Sequence, residues 1–146
     1  MAISGGMRFR VLMADIFPNG CVMGVDKPEA VTDFEKKGKG DDQERDKQNP
    51  DLRVWSVRVH DLDEALEGKA REVLIKISAP HMPVPPVSAF QQVEFEGLTV
   101  TPWVEEKSFG GVKRGVQKFS IRASGFKEPG KSSAPSAPAS DKKVGA

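Results

Sequence analysis

The sequence predicts an all-β fold: a small single-domain barrel of the oligonucleotide-binding type or a small β-sandwich, with a disordered C-terminal tail. The chain has 146 residues, enough for one domain. Its 14 glycines and 11 prolines favour short strands joined by turns. Short segments of alternating apolar and polar residues recur along it. We therefore expect a flexible leader at 1–7, a β domain at 8–127, and a tail rich in alanine, serine, proline and lysine at 128–146.

Two short strands and a charged segment are predicted in the first third of the chain. Residues 8–13 are strand-like, and 21–25 form a second short apolar run. The turn signal of proline, asparagine and glycine at 18–20 predicts that they form a hairpin. Residues 35–51 alternate acidic and basic side chains with almost nothing apolar. We interpret this segment as a mobile loop that cancels its own charge and cannot bury itself.

The clearest strand is predicted at 53–60. Trp55, Val57 and Val59 fall on one face of it, so this face is predicted to be core. Four prolines within 80–86 predict a stiff crossing segment. The remaining predicted elements are a helical turn or loop at 61–68, strands at 72–77, 93–96, 98–101 and 118–123, and a glycine-rich hairpin loop at 107–115.

The composition disfavours enzymes and metal sites. The chain contains one cysteine and two histidines, and Cys21, His60 and His81 are not closely spaced, which makes a poor zinc site. No glycine-rich phosphate loop and no nucleophile elbow occurs in the sequence. We therefore predict a non-enzymatic protein with no metal and no cofactor.

The sequence also indicates a location. No apolar run approaches the roughly 20 residues needed to cross a bilayer. The first ten residues lack a basic segment followed by an apolar stretch, so no signal peptide is expected. A cytoplasmic protein with no membrane partner is the resulting prediction.

A local concentration of cations indicates a nucleic-acid partner, although the formal net charge is only +1. Six cations and no acidic residue occur between Lys107 and Lys127. A cationic groove with exposed aromatic side chains is how small barrels bind single strands. The predicted nucleic-acid-binding residues are Arg58, Lys76, Trp103, Lys107, Phe109, Lys113, Arg114, Lys118 and Arg122. The alternative interpretation of the same segment is a solvated hairpin surface without a ligand.

Several segments, in order, resemble a known family. They are Phe17-Pro18-Asn19-Gly20, residues 45–47 and 54–59, Pro83-Val84-Pro85-Pro86, residues 93–104, and residues 119–125. Over roughly residues 8–127 the chain resembles the plasmid replication, integration and excision activators (Pra-like proteins) of actinobacterial integrative elements. The glycine-rich segment 110–115 is longer than the family usually shows.

The resemblance implies a regulator of an element's replication, integration and excision, and not a nuclease or a recombinase. It supplies no catalytic residues. Together with the cationic segment, it predicts DNA as the partner, single-stranded DNA more than duplex. The alternative is a protein-interaction module that recruits replication or transcription proteins without contacting DNA.

Overall fold

The computed structural model describes residues 5–128, and strands make up most of its regular structure. The strands are β1 (Phe9–Arg10), β2 (Cys21–Met23), β3 (Glu29–Ala30), β4 (Arg53–Asp61), β5 (Glu72–Ala79), β6 (Gln92–Val93), β7 (Phe95–Glu96), β8 (Thr99–Phe109), β9 (Val112–Ala123) and β10 (Gly125–Phe126). A four-residue helix, α1 (Met13–Ile16), and 3₁₀ turns at Phe34–Lys36 and Gly68–Arg71 complete the described part. The all-β prediction is confirmed.

One mixed sheet of eight strands dominates the fold. Its order is β1-β8-β9-β5-β4-β2-β6, and β3 pairs with β4 beside this path. β5 and β9 run parallel, and the other pairings in the described part are antiparallel. A separate two-stranded sheet joins β7 to β10. The large sheet is open, with β1 and β6 at its ends.

The hydrophobic core lies on one face of the large sheet, which we call the inner face. Val57, Val59, Ile75 and Ile77 point to it and are fully buried. The β7–β10 sheet covers part of this face, and the Phe95 and Phe126 rings stack within it at a centroid distance of 5.3 Å. The opposite side, the outer face, carries mainly polar residues that alternate with these along each strand, together with Leu74 and the buried Val54.

The predicted core face of β4 is confirmed for Val57 and Val59. Trp55 is half-buried at the end of the same face, and its indole Nε1 donates a hydrogen bond to the Ala79 carbonyl oxygen at 3.1 Å. A tryptophan at such a position keeps a partner for its N–H while its ring covers apolar surface.

The predicted hairpin between 8–13 and 21–25 is wrong. β1 pairs with β8, whereas β2 pairs with β4 and β6. The first strand ends at Arg10 and helix α1 begins at Met13, where the Asp15 carboxylate accepts a hydrogen bond from the Leu12 backbone N–H at 2.8 Å. An acidic side chain that binds an unpaired N–H at a helix N-terminus stabilises the first turn.

The charged segment 35–51 forms one ion pair within itself and one with β4, both through Asp41. The Asp41 carboxylate lies 3.0 Å from Arg45 Nη2 and 2.7 Å from Arg53 Nη2. The interpretation that the segment buries nothing is wrong at Asp46, whose exposed fraction is 4%. This carboxylate is held by donors from distant strands, Arg8 and Ser78, which the local sequence does not reveal.

The predicted hairpin loop at 107–115 is mostly strand. The loop contains two residues, Gly110 and Gly111, whose φ angles are 56° and 84°. Positive φ at both central positions is the type I′ geometry that matches the twist of a hairpin, and glycine adopts it without steric cost. β8 and β9 therefore stay paired up to Phe109 and Val112.

The predicted tail, 128–146, lies outside the described residues except for Glu128, as do residues 1–4 of the predicted leader. Among residues 5–128, no helix has the length and hydrophobicity needed to span a membrane.

Candidate nucleic-acid interface

The β8–β9 hairpin extends beyond the rest of the sheet. β1 pairs with β8 at Thr99 and Val100, and β5 pairs with β9 at residues 121–123. Residues 101–109 and 112–120 therefore pair only with each other among the described strands, and we call this ribbon the arm. At about 3.4 Å per residue it is roughly 30 Å long.

One side of the arm carries cations and aromatic rings together. Directly opposed residues of an antiparallel pair point to the same side. The opposed pairs on this side, which we call the Trp103 face, are Thr101 with Ser120, Trp103 with Lys118, Glu105 with Val116, Lys107 with Arg114, and Phe109 with Val112. The register thus brings together five predicted site residues that are separate in sequence: Trp103, Lys107, Phe109, Arg114 and Lys118.

The other side of the arm, the Phe119 face, differs in composition. Its opposed pairs are Pro102 with Phe119, Val104 with Gln117, Glu106 with Gly115, and Ser108 with Lys113. Lys113 therefore does not share a side with the other predicted site residues of the arm. Val104 and Phe119 are each 61% exposed, so this face presents apolar side chains to solvent.

The charge of the arm is lower than the segment from Lys107 to Lys127 predicts. β8 contributes Glu105 and Glu106, which leave the arm a net charge of +2. The Glu105 carboxylate lies 3.4 Å from Lys107 Nζ and 4.0 Å from Lys118 Nζ. Within residues 5–128, Arg114 and Lys113 form no ion pair, so their charges are not compensated by a carboxylate.

Both predicted stacking residues are accessible. Trp103 is 43% exposed and Phe109 is 53% exposed, and both lie on the Trp103 face. Gln117 Nε2 donates a hydrogen bond to the Trp103 carbonyl oxygen at 2.9 Å and helps to fix the local backbone. An exposed indole beside cations is the combination that binds an unpaired base and its phosphate.

The base of the arm continues this face as a row of residues across the sheet. The register aligns Arg10, Thr99, Arg122, Lys76 and Ser56 on neighbouring strands of the outer face. Adjacent strands are about 4.8 Å apart, so Arg122 and Lys76 are close neighbours. Lys76 and Arg122 were predicted site residues, and the structure brings them together.

Arg58 lies outside this row. It is exposed on the outer face, and its guanidinium forms an ion pair with the Glu72 carboxylate. The structure therefore does not bring Arg58 together with the residues of the row, and its charge is offset by Glu72.

Two arginines of the same surface were missed by the sequence interpretation. Arg8 and Arg10 flank Phe9, and Phe9 pairs with Val100 on the inner side. The alternation of β1 therefore directs both arginines to the outer face, beside Arg122. Alternation at 8–10 was visible in the sequence, but the pairing of β1 with β8 was not.

Comparisons of this chain with protein-family models, with curated proteins and with solved structures each found no match. The resemblance to the plasmid activators therefore stays a prediction.

Proposed function

We propose that this protein is a non-enzymatic, cytoplasmic accessory factor that binds single-stranded DNA along the Trp103 face of its arm. The observation that carries the proposal is the register of the hairpin. It places Trp103 opposite Lys118 and Lys107 opposite Arg114 on one exposed face. Stacking on the indole and phosphate contacts from the cations would then act on the same strand.

Single strands fit this surface better than duplex DNA. The Trp103 face offers aromatic rings, which stack on unpaired bases, and carries acidic Glu105 among its cations. A duplex presents phosphates outside and keeps its bases stacked, so binding to it depends chiefly on positive charge. A net charge of +2 on the arm is small for that purpose.

The biological role that we propose is regulation of the replication, integration and excision of a mobile element. The segments that resemble the actinobacterial activators support it, including residues 93–104, which lead from β6 into the arm. Single-stranded DNA is an intermediate of replication, so a single-strand-binding arm fits an accessory role there.

The direct test is a fluorescence anisotropy titration with labelled oligonucleotides, single-stranded and duplex, across a salt series. We expect tighter binding to the single strand, with an affinity that falls as salt rises. Absence of binding to both forms at low salt would remove the proposal. Tighter binding to the duplex would contradict its single-strand part.

A second candidate function, recruitment of a replication or transcription protein, is favoured by the Phe119 face. Val104 and Phe119 are exposed apolar residues on the side of the arm that lacks Trp103. Cells that depend on this protein for plasmid replication can separate the two candidates. Phe119→Ser abolishes replication if recruitment is the function, whereas Trp103→Ala abolishes it if the arm binds DNA.

A further inference from the structure

A cavity of about 350 Å³ opens at the base of the arm, on the outer face. It is lined by residues in and next to β1, the beginning of β8, the end of β5 and the end of β9, and by residues within 46–52. Three arginines line it: Arg8, Arg10 and Arg122. Its volume is at the lower end of the range for sites of small ligands.

Asp46, the acidic residue that lines the cavity, has both carboxylate oxygens engaged in hydrogen bonds with neighbouring groups. Its carboxylate accepts hydrogen bonds from Arg8 Nη1 at 3.0 Å, from the Gln48 N–H at 2.7 Å and from the Asn49 N–H at 3.3 Å, and also from the Ser78 hydroxyl. Its charge is balanced by Arg8. Within residues 5–128 neither Arg10 nor Arg122 forms an ion pair, although the charges of Asp46 and Glu44 partly offset that of Arg122.

Arg122 has an unmet requirement for a hydrogen-bond acceptor. Its Nη1 is buried and, in the described part of the chain, has no hydrogen-bond partner. Burial, followed by the charge of Arg8, lowers the pKa of the Arg122 guanidinium. Buried polar groups without partners are rare in native proteins.

We propose that this cavity is a binding site for a phosphate group. A tetrahedral oxyanion in the cavity would accept hydrogen bonds from the guanidinium groups of Arg10 and Arg122, both of which line it, and its charge would offset theirs. Guanidinium groups bind phosphate oxygens in paired, charge-assisted hydrogen bonds. Thr99 also lines the cavity and its hydroxyl is a neutral donor, whereas the Ser124 hydroxyl already donates to the Glu96 carbonyl oxygen at 3.0 Å.

The phosphate can come from a nucleic acid or from free phosphate. The row that contains Arg122 and Thr99 continues directly into the Trp103 face, with Thr99 four residues before Trp103 on β8. At about 3.4 Å per residue the cavity and the indole are roughly 14 Å apart along the strand. A terminal phosphate of a strand bound on the arm could reach the cavity, and this source of the phosphate rests on the proposed function.

The test is a titration of the ¹⁵N-labelled full chain with inorganic phosphate at constant ionic strength. The Nε–H signals of the arginine side chains are followed by NMR. We expect the signals of Arg10 and Arg122 to shift saturably. The signal of Arg71, which lies in the 3₁₀ turn Gly68–Arg71 and does not line the cavity, should not shift and serves as the internal control. Arg10→Gln, at an exposed position, should weaken binding without unfolding the protein. Absence of a saturable shift at Arg122, or a shift of equal size at Arg71, would overturn the proposal.

A stability measurement gives a second readout. Arg122→Met should raise the melting temperature in phosphate-free buffer, because it removes a buried guanidinium nitrogen that has no hydrogen-bond partner. The variant should also lose the increase in melting temperature that phosphate gives the wild type. An equal increase in both proteins would contradict a site at Arg122, since phosphate also stabilises proteins nonspecifically.

Oligonucleotides with and without a 5′-phosphate separate the two sources. Tighter binding of the phosphorylated strand, lost in Arg10→Gln, would identify a strand end as the ligand. Equal binding of both strands, with the inorganic phosphate titration intact, would identify free phosphate. Failure of every oligonucleotide to bind would remove the proposed function of the arm and leave the phosphate site standing.

Discussion

Trp103 lies directly opposite Lys118 in the antiparallel register of β8 and β9. Opposed residues have Cβ atoms about 5 Å apart, so the two side chains leave the arm at neighbouring positions on the same face. A base stacked on this indole would bring its phosphate within reach of the lysine. The single-strand-binding proposal depends on this pair more than on the total charge of the chain.

Replacing the indole tests the stacking contribution. Trp103→Ala should weaken binding of a single-stranded oligonucleotide by about 1–3 kcal/mol, because one base loses its stacking platform. That range corresponds to a roughly 5- to 150-fold increase in Kd, measured by anisotropy. Phe119→Ala, which removes an exposed ring from the opposite side of the arm, is the matched control and should leave Kd unchanged. Equal losses of affinity in both variants would show that the oligonucleotide does not bind one side of the arm in preference to the other.

Salt dependence tests the cations. On single strands, each neutralised phosphate contributes about 0.7 to the slope of log affinity against log salt. Replacing Lys107 and Arg114 together with glutamine should therefore lower this slope by about 1.4, if each contacts one phosphate. Lys113→Gln removes a cation from the Phe119 face and should leave the slope unchanged. A slope that falls as much with Lys113→Gln would argue for diffuse attraction over contact with one face.

The strand pattern of the centre of the fold was predictable, whereas the arm was not. Alternation in β4 identifies Val57 and Val59 as core because a half-buried strand imposes a period of two. Glycines at 110, 111 and 115 were interpreted together as a loop, yet two of them form the whole turn. Gly115 lies within β9, where an added Cβ would come within 2.8 Å of Val104 Cγ1, so its role is to make room.

The residue types of the candidate site could be predicted from the sequence, but only part of their spatial arrangement could. The sequence shows the cations and Trp103, but the side of the arm on which each one lies depends on the strand register. The register places Lys113 and Arg114 on opposite sides. Asp46 and Arg8 lie 38 residues apart in the chain, and no local pattern links them. Long-range pairing decides such contacts, and a single sequence carries little information about it.

Acid should weaken the fold through Asp46. Burial raises the pKa of its carboxyl, but hydrogen bonds from Ser78 and Arg8 outweigh this and lower the pKa from 3.8 to about 2. Because the pKa is lower in the folded state, the stabilisation is complete above about pH 4 to 5 and is lost as the pH falls towards 2. We expect a loss on the order of 2 kcal/mol in the free energy of unfolding across this window.

Urea titrations between pH 2 and pH 6 measure this loss. Asp46→Asn should be less stable near neutral pH and should show a flatter dependence below pH 5, since it has no carboxyl to protonate. Ser78→Ala should give an intermediate dependence, because it removes one donor to the carboxylate. A wild-type profile parallel to that of Asp46→Asn would contradict the role of this carboxyl.

The cysteine should be inert until the protein unfolds. Burial, followed by the charges of Asp61 and Glu94, raises the pKa of the Cys21 thiol to about 12. Thiolate is the reactive form, so an aromatic disulfide reagent at pH 8 should not label the native protein. Ser88→Cys introduces a thiol at an exposed position and should be labelled at once. Rapid labelling of Cys21 in native buffer would show that β2 opens readily.

A variant with a shortened arm tests the central claim most directly. Deleting residues 104–109 and 112–117 removes six opposed pairs and leaves Trp103 and Lys118 flanking the two-glycine turn, so the alternation of faces is preserved. The deleted side chains contribute nothing to the core, and we expect the melting temperature to stay near that of the wild type. Affinity for a single-stranded oligonucleotide at low salt should fall on the order of tenfold or more, because Lys107 and Arg114 are gone. A folded short-arm protein that binds the strand as tightly as the wild type would contradict the proposal that the interface extends along the Trp103 face beyond Trp103 and Lys118.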